Sequence, residues 1–203
     1  VVGGWGVGLL GSAALNNLNF QPINAPIIGM RHWVSDAWGF QFGIGAAHQS
    51  GTMSNDIRTQ SNIDDPTYWG FAGHVGVPLA LYHDKHYAFL ILPEATFGYS
   101  TWRQKDNKNT PVVDEGVSGR AWLLDVGARA GAEVHFGFMG LPMLTLQGTV
   151  GAHMTYRDSG VKYIDDDGKE VEEGHYTLGL TTARYNDPWD IFVSSISALY
   201  YFK

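Results

Sequence analysis

Apolar and polar residues alternate one for one along much of this chain. The clearest stretch runs from Leu144 to Tyr156. Its even positions read Leu144, Leu146, Gly148, Val150, Ala152, Met154 and Tyr156; its odd positions read Thr145, Gln147, Thr149, Gly151, His153 and Thr155. A strand sends successive side chains to opposite faces, so this spacing predicts a ribbon with one greasy and one polar side. The segment 122–136 repeats the rule. Trp122, Leu124, Val126, Ala128, Ala130, Ala132, Val134 and Phe136 fall on one face, and Asp125, Gly127, Arg129, Gly131, Glu133 and His135 on the other. Segments 5–14, 27–34, 38–48, 68–79, 87–102 and 191–202 read alike, which makes eight strands.

The connections between them alternate in length. Short ones fall at Ser35-Asp36-Ala37, around Tyr82-His83-Asp84-Lys85, and near Gly137-Phe138-Met139-Gly140. The longer ones cover roughly 15–26, 50–67, 103–117 and 157–189. This short–long rhythm predicts an all-β fold: an eight-stranded antiparallel up-and-down β-barrel with both termini and the tight turns at one end. The last long connection holds a hairpin signal of its own. Val161-Lys162-Tyr163-Ile164 leads to a turn at Asp165-Asp166-Asp167-Gly168 and a return through Val171. Residues 174–186 are either loop or further strand.

A barrel of this kind sits in water or in lipid, and the charges separate the two. Lys85, Lys105, Lys108, Lys162, Lys169 and Lys203 all fall in predicted turns, loops or the terminus. A soluble sheet would place lysines along its solvent face. In lipid, a lysine at mid-depth costs about 2–4 kcal/mol. The strand carboxylates Glu94, Asp125 and Glu133 share the polar face. Arg120 falls on the apolar face, at a strand end where the cost drops to about 0–1 kcal/mol. Trp5, Trp33, Trp38, Trp69, Trp102, Trp122 and Trp189 lie at or near strand ends, as interfacial aromatics do. The expectation is one transmembrane barrel domain over residues 1–203.

Composition narrows the function further. Charged residues make up 16 %, aromatics 13 %, and glycine numbers 26. A net charge of −7 offers no footprint for nucleic acid. With no cysteine, there is no disulfide framework and no thiolate metal site. No apolar run reaches the roughly 18 residues of a membrane helix. The chain opens on Val1-Val2-Gly3-Gly4-Trp5 with no leader pattern, so an exported chain is expected here in its mature form.

Two local patterns carry a resemblance. Gly29-Met30-Arg31-His32-Trp33, Ser35-Asp36 and Trp38-Gly39-Phe40 form a hairpin similar to one in the small bacterial outer-membrane β-barrels. The ending Ser197-Ala198-Leu199-Tyr200-Tyr201-Phe202 resembles the C-terminal strand signal that barrel-assembly machinery reads, with Tyr200 and Phe202 as its aromatics and Lys203 as a departure. The resemblance implies the bacterial outer membrane, with periplasmic termini, extracellular long loops, and contact with membrane lipids and lipopolysaccharide. It specifies a fold and an insertion route, not an activity.

Parity places Arg31, Gln41, Gln49, His74, Glu94, Asp125, Arg129, Glu133, His135, Gln147 and His153 in the lumen. Asp125, Arg129 and Glu133 recur every fourth residue, about 13 Å apart at 3.3 Å per residue, so they need partners on other strands. Glu94 is the expected partner of Arg129, and Arg31 is expected to reach a carboxylate across the lumen. Eight strands leave room only for side chains, which favours a plugged interior. Lumen glycines such as Gly6, Gly43, Gly70 and Gly127 leave space for water.

Candidate chemistry is sparse. His48 and Ser50 share one strand face and are similar to the His-x-Ser pair of outer-membrane lipid A deacylases, with Asp56 as a carboxylate to orient the imidazole. Gly51 stands where that family has asparagine. The acidic run 165–173 reads as a solvated turn, and His83 and His86 as polar anchors beside a tight turn. No cofactor and no metal site is expected. Three functions stay open: a structural or interaction barrel with a possible protein partner in the envelope or at the surface, a lipid-A-modifying hydrolase, and a narrow channel for ions or small solutes.

Overall fold

The computed structural model describes residues 3–15, 23–50, 67–104, 117–164, 168–181 and 196–202. They form β1 (Trp5–Leu15), β2 (Ile23–Trp33), β3 (Gly39–Gln49), β4 (Thr67–Gly76), β5 (Leu79–His83), β6 (Tyr87–Gln104), β7 (Val117–His135), β8 (Leu144–Ile164), β9 (Glu170–Thr181) and β10 (Ile196–Phe202). All pairings are antiparallel, and β10 lies against both β1 and β8, so the sheet closes on itself.

Ten segments make eight ribbons. β4 and β5 pair with the same strand in succession, Gly76 opposite Glu94 and Leu79 opposite Ile91. The break at Val77-Pro78 follows from proline, which has no N–H for the ladder. β9 and β10 likewise share β8: β9 covers its outer part from His153 to Ile164, and β10 its inner part from Leu144 to Gly148. The hairpin signal at 161–171 is thus a real β8–β9 hairpin, with Ile164 opposite Glu170. Strand structure runs on through residue 181, well inside the span expected to be a connection.

The three short turns sit at the end where Trp5 meets Phe202. At the first, Ser35 Oγ accepts from the backbone N–H of Ala37 and Trp38. At the second, Asp84 accepts from the N–H of Lys85 at 2.6 Å. The third is a short 3₁₀ turn, Phe136–Met139, closed by Gly140 at φ 78°. A left-handed backbone there suits glycine, which has no Cβ to clash.

The wall alternates as its sequence does. In β3 and β4 buried and exposed residues take turns almost without interruption. Ile44, Phe71, Val126, Val150 and Leu180 point outward, Ile44 and Leu180 being 77 % and 81 % exposed. Arg31, Asp125, Arg129 and Glu133 point inward. Water would penalise so much bare hydrocarbon on the outside of a monomer. A transmembrane β-barrel needs it, because lipid wets that face. The chain therefore has the architecture of a closed transmembrane β-barrel, with its termini and tight turns at one end.

The interior has apolar fill as well as charge. A bulge between Leu9 and Gly11 shifts the register of β1, so Leu10, Ala13 and Leu15 all turn inward. They gather with Ala25, Ile27, Ala72 and Leu123. Many of the lumen glycines face these side chains rather than open space. A Cβ on Gly43 would press on Ile27 and Leu10, one on Gly98 or Gly70 on Leu15, and one on Gly6 on the Tyr201 ring.

Candidate functional site

The polar part of the lumen is one connected network. At the end of the tight turns Arg31 on β2 reaches across the barrel to Glu133 on β7, Nη1 to Oε2 at 2.7 Å. The same guanidinium donates to Gln41 Oε1 on β3 and to Gln147 Oε1 on β8, each at 2.6 Å from Nη2. Both ions are essentially fully buried, at 1 % and 0 % exposure. Glu133 also accepts from the Tyr201 hydroxyl on β10, and Tyr201 in turn accepts from Trp33 Nε1 at 3.0 Å.

Gln41 passes the network onward. Its Oε1 is taken by Arg31, so its amide nitrogen faces His74 Nε2 at 2.9 Å. That nitrogen can only donate, so His74 accepts at Nε2 and carries its proton on Nδ1, which donates to Thr96 Oγ1. Glu94 on β6 pairs with Arg129 on the neighbouring β7. Arg129 also donates to Thr149. His153 stands between two carboxylates, with Nδ1 2.6 Å from Asp125 and Nε2 3.5 Å from Glu94. Thr155 donates to the second Asp125 oxygen at 2.6 Å. Two guanidinium groups thus face three carboxylates, with imidazoles and amides between them.

The network brings together Arg31, Glu133, Glu94, Arg129 and Asp125, the charged groups that parity assigned to the lumen. It also includes Gln41, His74, Gln147 and His153. Gln49 stands apart, exposed at the outer end of β3. Tyr201 joins Trp33 to the buried ion pair; its position beside the C-terminal aromatics conceals that inward role.

The tryptophans divide. Trp38 and Trp69 are exposed on the lipid side, and Trp5 and Trp122 are partly so. Trp33 and Trp102 are not interfacial: they are 7 % and 5 % exposed and turn inward. The reason is parity, since Trp33 shares a face with Arg31 and Trp102 with Glu94. Trp189 lies outside the described residues. Tyr200 and Phe202 face outward on β10.

His48 is exposed and packs on Trp69, with ring centroids 4.1 Å apart. Its Nδ1 donates to the Tyr68 carbonyl at 2.9 Å. Among the described residues no contact joins it to Ser50, and Asp56 lies outside them. On the outer hairpin, Arg120 pairs with Glu172 at 3.2 Å and Lys162 with Glu170 at 3.0 Å. These two carboxylates hold the Lys162 ammonium above its ordinary pKa of 10.5, first through the hydrogen bond to Glu170. Residues 165–167 of the acidic turn lie outside the described residues.

No family model matches this chain, and no curated protein does. Among solved structures it is similar to a major outer membrane protein from Thermus thermophilus, at 12 % identity over 98 % of each chain and a TM-score of 0.43. It is also similar to Ail, the attachment invasion locus protein of Yersinia pestis, at 11 % identity over the whole of both chains and a TM-score of 0.41.

Proposed function

We propose that this chain is a non-enzymatic structural and interaction barrel of the outer membrane, with a plugged lumen. The observation that supports this is the filled interior. The Arg31–Glu133 and Arg129–Glu94 ion pairs and the His153–Asp125 contact lock side chains of different strands together, and Leu10, Leu15 and Leu123 fill space beside them. A hydrated ion would have to break a desolvated, hydrogen-bonded charge pair to pass, at a cost of several kcal/mol. What remains available to partners is the outer surface: membrane lipid and lipopolysaccharide around the wall, a protein partner at the outer loops, and assembly machinery at the C-terminal strand during insertion.

Planar-bilayer recordings test the plug. Silence is expected from the purified barrel. Conductance steps that change with Asp125→Asn or Arg129→Gln would replace this reading with a narrow channel. The hydrolase reading is weaker, because His48 directs Nδ1 to a backbone carbonyl rather than to an orienting carboxylate. Acyl release from lipopolysaccharide that disappears in Ser50→Ala would restore it.

A further inference from the structure

The tight-turn mouth of the barrel holds a pocket that borders the charged network at Glu133 and Trp33. Trp33, Ser35, Asp36, His83, Ala88, Glu133 and His135 line it. Three elements build it: the β2–β3 turn supplies Ser35 and Asp36, the end of β5 supplies His83, and the end of β7 supplies His135. We propose that this pocket binds a divalent transition-metal ion through the imidazoles of His83 and His135.

The two rings belong to different strands yet meet edge to face, with centroids 5.9 Å apart and planes at 71°. With metal–nitrogen bonds of about 2.0–2.1 Å, two imidazoles sharing one ion have centroids about 5–6.5 Å apart. His135 is nine-tenths buried, and its Nε2 has no protein partner. Its Nδ1 lies 3.3 Å from Thr145 Oγ1, a contact that fixes the ring and leaves the other nitrogen free for an ion. A buried imidazole nitrogen without a partner is costly, and a metal bond removes that cost. Imidazole selects zinc, copper or nickel over calcium and magnesium, which favour oxygen.

Among the described residues no set of three such side chains stands in ligating position. The two imidazoles are therefore the anchoring ligands, and water completes the shell, with the Asp36 carboxylate lining the same pocket. Glu133 is already paired with Arg31, so the Asp36 carboxylate is the lining charge that favours a cation over an anion. The site is independent of whether the lumen conducts.

The test uses the full chain in detergent micelles without a histidine tag, and Cu²⁺ as the probe. One Cu²⁺ per chain is expected, with a pulsed-EPR echo pattern from two imidazoles. His83→Ala and His135→Gln should each weaken binding by about tenfold or more and leave a one-imidazole pattern. His175→Ala, on the distant outer hairpin, should change nothing. His83 is exposed, so its variant reports on binding even if His135→Gln impairs folding; gel mobility before and after heating monitors that folding. Absence of saturable binding, or binding unchanged in His83→Ala, would overturn the proposal.

Discussion

Removing both members of the Arg31–Glu133 pair should cost the barrel less than the two single removals added together. The perturbation is a set of three variants: Arg31→Met, Glu133→Leu and the double. Both side chains are buried, and the guanidinium makes four hydrogen bonds, one to Glu133, two to Gln41 and one to Gln147. Arg31→Met leaves the Glu133 carboxylate, among the described residues, with the Tyr201 hydroxyl as its remaining donor. Glu133→Leu leaves the guanidinium with two neutral amides. Breaking a buried pair in this way costs about 3–5 kcal/mol. The double variant removes both charges and keeps side chains of similar bulk, so it should cost less than the sum, with a coupling of about 0.5–3 kcal/mol. The assay is urea unfolding in lipid vesicles, followed by tryptophan fluorescence. With a slope of about 1–3 kcal/mol per molar urea, each single variant should lower the midpoint by about one molar or more. Single variants within about 0.5 kcal/mol of wild type, or strictly additive costs, would refute the argument that this lumen pair is desolvated and mutually dependent.

Three further outcomes follow from the wall and the rim. Gly8→Ala should lose about 1–3 kcal/mol or more, because its Cβ would collide with the Ala198 carbonyl oxygen where β1 meets β10; heat-dependent gel mobility reads the loss. Val150→Lys places a cation on the lipid face and should cost about 2–4 kcal/mol in vesicle unfolding, whereas Arg120→Lys on the exposed outer flank should stay near neutral. The Lys162 ammonium has its pKa raised in the folded hairpin. Its contribution is therefore complete below pH 10.5 and fades as the pH climbs through the higher folded value. Amide exchange in β8–β9 should accelerate over that alkaline range and lose its pH step in Lys162→Met.

The alternation that builds the wall is readable because its period is that of a strand and does not depend on partners. Leu146 and Val150 face outward and Asp125 and Arg129 inward for that reason alone. Trp33 and Trp102 show where a coarser cue misleads. Nearness to a strand end suggested the interface, while two-residue spacing from Arg31 and from Ser100 already pointed inward. The inward turn of Leu15 depends on a bulge, which shifts register without leaving a periodic trace. Arg129 and Glu94 meet because β6 and β7 register Leu92 opposite Arg129 and Glu94 opposite Gly127. That adjacent-strand partner is legible in the sequence, whereas Glu133, the carboxylate that meets Arg31 across the lumen, depends on how the whole barrel closes and is not.

The strands are unequal in length, and the inequality gives the molecule a front and a back. β1, β2 and β3 have 11 residues each, while β6, β7 and β8 have 18, 19 and 21. About 9–11 residues suffice to cross the hydrocarbon. One flank therefore rises as a parapet above the acyl chains, while the described strands β1–β3 are just long enough to cross them. A visitor sliding in the plane of the bilayer meets a strand wall standing above the hydrocarbon on that bearing, so lateral approach there is guided by the wall without any pocket to define it.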